Sequence, residues 1–158
     1  MHLTFVGSGV KEIYNQLKEY ISLHNLEKNV TIIDEIDFNK LHQYILNFDV
    51  FIHPSCYSKD MDCEGGAPIV LLDAQACGVP IISTTHCDIP DEVVNGKTGL
   101  LTPEKDVEAL TNSIKYFYNM DNEAYKIFSE AARNHVEENY SIKKNAVYLR
   151  EVYTRLKK

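Results

Sequence analysis

Short runs of apolar and β-branched residues alternate along this chain with longer stretches in which apolar residues recur every three or four positions. The short runs predict buried strands at residues 3–6, 30–33, 50–52, 80–83 and 99–101. The longer stretches predict helices, the first with the stripe Val10, Ile13, Leu17 and Ile21, and the next after Asp37 as a candidate N-cap. Strands that are apolar throughout and joined by helices predict a parallel sheet covered on both faces.

The last third of the chain has a helical pattern with three apolar stripes. They are Val107, Leu110, Ile114 and Phe117, then Ala124, Phe128, Ala131 and His135, then Leu149, Val152, Tyr153 and Leu156. We expect these helices to cap the sheet, so the predicted fold class is α/β, a Rossmann-like three-layer domain with a parallel sheet and a helical C-terminal region. Ligands of such sheets bind at the carboxyl ends of the strands, which we expect to converge on one cleft.

Length and charge limit the function classes. The 158 residues suit one domain, which can bury roughly two thirds of its unfolded surface. A net charge of −7 argues against nucleic acid or an anionic membrane as the main partner. No apolar run approaches the ~18 residues of a membrane span, and the first residues do not resemble a secretion signal. We therefore expect a cytoplasmic protein with no nucleic-acid partner.

The chain contains four cysteines, Cys56, Cys63, Cys77 and Cys87. Without C-x-x-C spacing, and in a cytosolic chain, they are interpreted as reduced thiols that fill space. The alternative is a zinc site with the ligands Cys56, Cys63, His53 and His86. Its spacings match no structural zinc motif. The two histidines are interpreted as packing or loop residues rather than general bases.

The most informative segment combines two acids with a helix start. Glu64 precedes the flexible pair Gly65 and Gly66, and Pro68 can begin a helix that carries Asp73 in its second turn. The N-terminus of a helix offers free N–H groups and about half a unit of positive charge, which can bind a diphosphate without a basic side chain. The two carboxylates can accept hydrogen bonds from sugar hydroxyls. The segment therefore predicts a nucleotide-sugar site.

This segment resembles the E-x7-E region of the retaining glycosyltransferases of family 4, which have the GT-B fold. The similarity extends to the strand and G-x-G turn at 3–9, the strand and Pro-Ser loop at 49–55, and an I-P-E-x-x-x-x-G-x-x-G-x-L-like run at 83–101. It covers nearly the whole chain. Two features depart from the pattern: eight residues rather than seven separate the two acids, and the second acid is Asp rather than Glu. The adjacent glycines can absorb the extra residue.

The resemblance implies roles for individual residues. Those assigned to donor binding are Gly7, Gly9, Gly65, Gly66, Ala67, Pro68, Ile69, Val70, Leu71 and Asp73. Glu64 would be catalytic by orienting the donor sugar, the first amides of the helix would stabilise the leaving diphosphate, and Asp73 would hold the ribose. For the G-x-G pair, a tight strand-to-helix turn is the alternative to close approach of the ligand. No cofactor and no metal are implied; the donor substrate is a nucleotide-diphosphate sugar.

The resemblance also implies that residues 1–158 are the nucleotide-sugar-binding C-terminal domain of a GT-B enzyme and are incomplete on their N-terminal side. A preceding Arg/Lys unit and an N-terminal domain that binds a glycan or lipid-linked acceptor would be missing, so the isolated chain is expected to be inactive. Peripheral membrane association of the full enzyme stays open. In such enzymes the final helix crosses to the other domain, so its stripe near Tyr148 and Val152 is expected to be exposed.

The expected function is retaining transfer of a sugar, of the hexosyltransferase type, from a nucleotide-diphosphate donor to an acceptor hydroxyl in glycan or polysaccharide biosynthesis. Two alternatives stay open. One is a non-catalytic nucleotide-sugar-binding module or partner subunit. The other is a fragment of a GT-B UDP-sugar epimerase, which needs acid and base carboxylates from both domains.

Overall fold

The computed structural model describes residues 1–63 and 66–156. The chain divides into two compact units, Met1–Leu41 and His42–Lys158, and each is described by itself. The predicted catalytic residue Glu64 and its neighbour Gly65 lie outside the described residues.

The first unit contains one parallel strand pair. Its elements are β1 (Leu3–Val6), α1 (Lys11–Leu23) and β2 (Val30–Ile33). The strands pair in register from Leu3 opposite Val30 to Val6 opposite Ile33. Both strands and the helix lie where the apolar pattern predicts them, because β-branched runs favour strands and a stripe every three or four residues favours a helix.

The predicted N-cap at Asp37 is confirmed. Its carboxylate accepts a hydrogen bond from the Asn39 N–H at 2.9 Å. It caps a 3-10 turn, Phe38–Lys40, which continues into the short helix α2 (Leu41–Ile45). The segment is therefore helical as predicted, with a tighter first turn.

The second unit contains a three-stranded parallel sheet in the order β3-β4-β5. Its elements are β3 (Phe51–His53), α3 (Ile69–Ala76), β4 (Ile81–Thr84), α4 (Ile89–Glu92) and β5 (Gly99–Thr102). All four residues of the central strand β4 are buried. β3 and β4 each begin one residue later than predicted. At β4 the reason is Pro80, which has no N–H to donate to the ladder and contributes only its carbonyl, an acceptor for the Phe51 N–H.

The core of this unit lies between the sheet and two helices. Ile82 of β4 packs with Phe117 of α5 (Val107–Tyr118) and Phe128 of α6 (Asn122–Asn139), and the two rings meet edge to face with centroids 5.2 Å apart. Asp106 and Asp121 cap these helices by accepting from the amides three residues on. The prediction that the C-terminal helices cap the sheet is correct for α5 and α6.

The last helix, α7 (Ile142–Leu156), has no buried residue. Its apolar side chains include Tyr148 at 68% exposed and Leu149 at 52% exposed, while Val152 is half-buried. The capping prediction is wrong for this stripe; the exposure expected of a final GT-B helix is found at Tyr148 but not at the half-buried Val152. No helix among the described residues is long and apolar enough to cross a membrane.

Candidate functional site

The N-terminus of α3 is the centre of the predicted anion site. Pro68 has extended φ and ψ angles of −70° and 107°, so it occupies the N-cap position and the helix begins one residue later, at Ile69. The amides of Ile69 and Val70 find no acceptor among the described residues, as expected for the first turn of a helix. The Leu71 N–H instead donates to the Pro68 carbonyl at 2.9 Å. Among the described residues, the Ile69 and Val70 amides are therefore free, whereas the Leu71 amide is not.

The opposite side of α3 is fixed in the core. Leu71 and Gln75 are fully buried. The Gln75 amide nitrogen donates to the Leu71 carbonyl at 3.2 Å and to the Glu92 carbonyl of α4 at 3.0 Å. Because this side chain ties α3 to α4, the helix start keeps its position without help from a ligand, which is the preorganisation that an anion site needs.

Asp73 lies on α3 with its side chain 26% exposed. Its Oδ1 is 3.6 Å from Nε2 of His42, which is too long for a hydrogen bond. The sequence requires a donor for this carboxylate, either a ribose hydroxyl or a protein group. His42 is near Asp73 but does not form a hydrogen bond with it. The ribose role of Asp73 therefore stays a prediction.

The loop before α3 is held by the loop after β4. The Asp88 N–H donates to the Gly66 carbonyl at 2.9 Å. A Cβ added at Gly66 would lie 2.6 Å from the Asp88 carboxylate, so glycine permits this close approach. Gly66, Ala67 and Pro68 therefore form an anchored approach to the start of α3, and their role in donor binding stays a prediction.

In the first unit, the G-x-G turn follows β1. Gly7 has a φ of +132°, which strongly favours glycine, and its N–H donates to the Ile33 carbonyl at 2.9 Å. Gly9 has no such angle, and an added Cβ would meet nothing within 4 Å. The tight-turn interpretation thus explains Gly7 but not Gly9, and close approach of a ligand at Gly9 stays a prediction.

The family model for glycosyl transferases group 1 matches residues 1–135. The chain belongs to this family. A relative in Salmonella typhimurium, WcaL, whose name assigns it to glycosyltransferases of colanic acid biosynthesis, is 32% identical over 136 residues. That match covers 84% of this chain and 32% of the relative, so the chain spans about a third of its length.

Solved structures agree with the family assignment and show the GT-B fold. A glycosyltransferase from Rickettsia africae superposes with a TM-score of 0.82 at 22% identity, over 100% of this chain and 40% of that one. HepE from Anabaena, solved in complex with UDP-glucose, gives a TM-score of 0.81 at 17% identity, over 98% and 41%. The α/β fold class and the resemblance to one half of a GT-B enzyme are confirmed.

A polar cluster that was not predicted from the sequence includes His86, in the run at residues 83–101. His86 is 2% exposed, and its Nδ1 lies 2.7 Å from Oε1 of Glu104. The other oxygen of Glu104 accepts from the Tyr57 N–H at 3.1 Å. The hydrogen bond with His86, followed by that from Tyr57, lowers the pKa of the Glu104 carboxyl. His86 is a packing residue, as interpreted from sequence, but with an ordered polar partner.

The pairing of His86 with Glu104 follows from strand register. Thr84 of β4 pairs with Thr102 of β5, and each partner of the cluster comes two residues later. The carboxyl ends of parallel neighbours meet at one edge of the sheet, so the two loops bring the side chains together. No spacing in the sequence reveals this register.

The four cysteines are free. The space-filling interpretation is wrong for Cys56 and Cys87, because both are exposed, while Cys63 and Cys77 are half-buried. Cys63, His86 and Cys87 place one ligand atom each within 4.8 Å of one another. This grouping differs from the one considered from the sequence, since Cys87 takes part and Cys56 and His53 do not.

Proposed function

We propose that this chain is the donor-binding part of a retaining glycosyltransferase that transfers a hexose from a nucleotide-diphosphate sugar to an acceptor hydroxyl. The observation that carries the proposal is the pair of free amides at the start of α3, in a chain of the group 1 family. The name of WcaL supports a place in polysaccharide biosynthesis, and the HepE complex with UDP-glucose supports a nucleotide-sugar donor.

In this proposal the diphosphate binds at the α3 N-terminus. Negative charge grows on the diphosphate as its bond to the sugar breaks. The amides of Ile69 and Val70 and the positive end of the helix stabilise that charge without prior rearrangement. Because these groups are neutral backbone donors already in place, the proposed transfer requires no metal ion.

The carboxylates of Glu64 and Asp73 accept hydrogen bonds from hydroxyl groups of the donor. Glu64 orients the sugar ring, and Asp73 accepts from a ribose hydroxyl. The acceptor, a glycan or lipid-linked hydroxyl compound, binds a further domain of the complete enzyme, which can associate peripherally with a membrane. No described residue is assigned as the base for the acceptor hydroxyl.

A proline at the first helical position tests the amides directly. Ile69→Pro removes one free N–H, and proline is well tolerated at this position of a helix. Ile69→Ala is the matched control, because it also removes the exposed side chain but keeps the N–H. Titration calorimetry with UDP, GDP and their hexose derivatives would measure affinity, and thermal melting would check the fold.

We expect Ile69→Pro to weaken nucleotide-diphosphate binding about tenfold or more, since a hydrogen bond to a charged group contributes roughly 1.5–3 kcal/mol. Ile69→Ala should bind like the parent. Equal affinity of the two variants would show that the diphosphate lies elsewhere.

Product analysis of the complete enzyme separates the remaining functions. A new glycoside that keeps the anomeric configuration of the donor supports the proposal, and an inverted product contradicts the retaining mechanism. An isomerised nucleotide sugar would indicate an epimerase. Donor binding without any product would indicate a non-catalytic module.

A further inference from the structure

The cluster formed by Cys63, His86 and Cys87 lies where two loops of the second unit meet. Cys63 precedes the donor-binding segment, and the other two residues follow β4. Their ligand atoms, two thiol sulfurs and one ring nitrogen, all lie within 4.8 Å of one another. Nε2 of His86 is already 3.3 Å from Sγ of Cys87.

The histidine is held in the orientation of a metal ligand. Its Nδ1 faces Oε1 of Glu104 at 2.7 Å, and an ionised carboxylate can only accept, so the ring proton lies on Nδ1. In the neutral ring, Nε2 then carries the lone pair available to a metal, and it lies 3.3 Å from the Cys87 sulfur. A carboxylate partner on the far nitrogen is the usual arrangement around histidines that bind zinc. Here that partner is itself fixed by the Tyr57 N–H at 3.1 Å.

The backbone of Cys87 is in an unusual conformation. Its φ is +46°, in the left-handed region, which few residues other than glycine adopt. Such conformations persist only where the surroundings enforce them, and they concentrate at functional sites. Here the conformation places the thiol beside Nε2 of His86, with the Tyr57 hydroxyl 3.5 Å from the same sulfur.

We propose that Cys63, His86 and Cys87 bind a zinc ion through Sγ, Nε2 and Sγ, with a water molecule as the fourth ligand. Two thiolates and an imidazole are the ligands that Zn²⁺ prefers over harder cations. The two thiol protons pass to solvent on binding, and the two thiolate charges neutralise the ion. Zinc bonds of 2.0–2.3 Å place tetrahedral ligands roughly 3.3–3.8 Å apart, so a small inward movement of the loops closes the site.

We infer that the zinc ion holds the loop before α3 in place and takes no part in the proposed sugar transfer. Cys63 comes directly before Glu64 in the sequence, and Asp88, next to Cys87, holds the Gly66 carbonyl. Zinc therefore ties Cys63, on one side of the predicted catalytic acid, to the loop after β4, and the Asp88 N–H already holds Gly66 on the other side. Zinc binding itself is independent of the proposed function, because the ligands lie outside the donor-binding residues, whereas its effect on the donor loop rests on that function.

Metal binding is measured on the 158-residue chain under reducing conditions. The chain is loaded with zinc, dialysed, and assayed for metal content; cobalt(II) is then used as a spectroscopic probe. We expect one zinc per chain, and for cobalt the thiolate charge-transfer band and strong visible bands of a tetrahedral site. Two of the four thiols should be shielded from a thiol reagent when zinc is bound.

The variants distinguish this cluster from the other cysteines. Cys63→Ser and Cys87→Ser should lose the stoichiometric zinc, whereas the matched controls Cys56→Ser and Cys77→Ser should keep it. Glu104→Gln should lower zinc affinity about 10–100-fold, as loss of an outer partner does at other zinc sites. Circular dichroism of each apo variant checks that it is folded.

Several results would overturn the proposal. They are a parent chain that retains no zinc, a Cys63→Ser or Cys87→Ser variant that retains as much as the parent, and equal loss in a control variant. A Cys63–Cys87 disulfide found by mass spectrometry under the same reducing conditions, in place of zinc uptake, would assign the pair to redox chemistry instead. If a variant does not fold, the cobalt spectrum and thiol shielding of the parent still decide, since both require thiolate ligands.

Discussion

The buried carboxyl of Glu92 makes the stability of this chain depend on pH. Glu92 ends α4 and is 4% exposed, and its Oε2 has no partner among the described residues. Burial, and then the nearby carboxylate of Asp88, raise its pKa to about 7. The group is therefore largely protonated in the folded chain under mildly acidic conditions.

The direction of the effect follows from proton binding. In the unfolded chain the carboxyl ionises near its ordinary pKa of 4.5, whereas in the folded chain it ionises near 7. Between these values the folded state binds more protons, so the free energy of unfolding falls as pH rises. The stability is complete below about pH 4.5 and is lost as pH rises through about 7. A pKa change of this size corresponds to roughly 3 kcal/mol, an upper value because local water entry reduces it.

Glu92→Gln removes the titration while keeping the shape of the side chain. The test is urea unfolding of parent and variant, followed by circular dichroism at several pH values from about 5 to 8. We expect the variant to gain about 2 kcal/mol relative to the parent across that range. The contributions of other titrating groups are the same in both proteins, so they cancel when the free energy of unfolding of the parent is subtracted from that of the variant. The matched control Glu151→Gln, on the exposed face of α7, should give a difference that is constant with pH.

A difference between Glu92→Gln and the parent that does not change with pH would refute the reasoning. It would mean that the carboxyl reaches water or a cation in the folded state. A constant offset added to a difference that does change with pH has no bearing on the prediction, because loss of packing or of a backbone contact would produce such an offset at every pH.

Three further changes test other parts of the structure. Gly99→Ala should lower the free energy of unfolding by about 1–3 kcal/mol in urea unfolding, because its Cβ would collide with the Ile81 carbonyl oxygen across the β4–β5 pair. The control is Gly9→Ala, because a Cβ added at Gly9 has no atom within 4 Å. Asp73→Asn should weaken nucleotide-diphosphate binding by on the order of 1.5–3 kcal/mol in calorimetry without changing the melting temperature, and unchanged affinity would remove its ribose role. Glu64→Gln in the complete enzyme should lower turnover more than donor affinity, which steady-state kinetics and a binding titration would separate; equal turnover would exclude it as the sugar-orienting acid.

The strands and most helices were predictable because each depends on local sequence. The β-branched runs of β1 and β2 form strands at their predicted positions, and the amphipathic stripe after Val10 forms α1. Two of the errors of one residue occur at prolines, while the late start of β3 does not. Pro68 takes an extended conformation and shifts the start of α3, and Pro80 cannot donate a ladder hydrogen bond and shifts the start of β4.

Features of the candidate site could be predicted from the sequence only where all of their residues lie in one continuous segment. The helix start after Pro68 can be read from consecutive residues, and its two free amides follow from helix geometry. The use of the Leu71 amide by the Pro68 carbonyl could not be predicted, because it depends on how the first turn tightens. The His86–Glu104 pair could not be predicted either, since it needs the register of β4 against β5.

The contacts of the His86–Glu104 pair also decide whether His86 can serve as a general base. A general base for an acceptor hydroxyl needs a ring nitrogen that is free and open to the substrate. His86 is 2% exposed, its Nδ1 is engaged by Glu104, and its Nε2 faces the Cys87 thiol at 3.3 Å. Both nitrogens are thus committed to neighbours within the chain. The same contacts hold His86 in the loop whose Asp88 N–H donates to the Gly66 carbonyl, so the geometry favours a positioning role for His86 over the role of a general base.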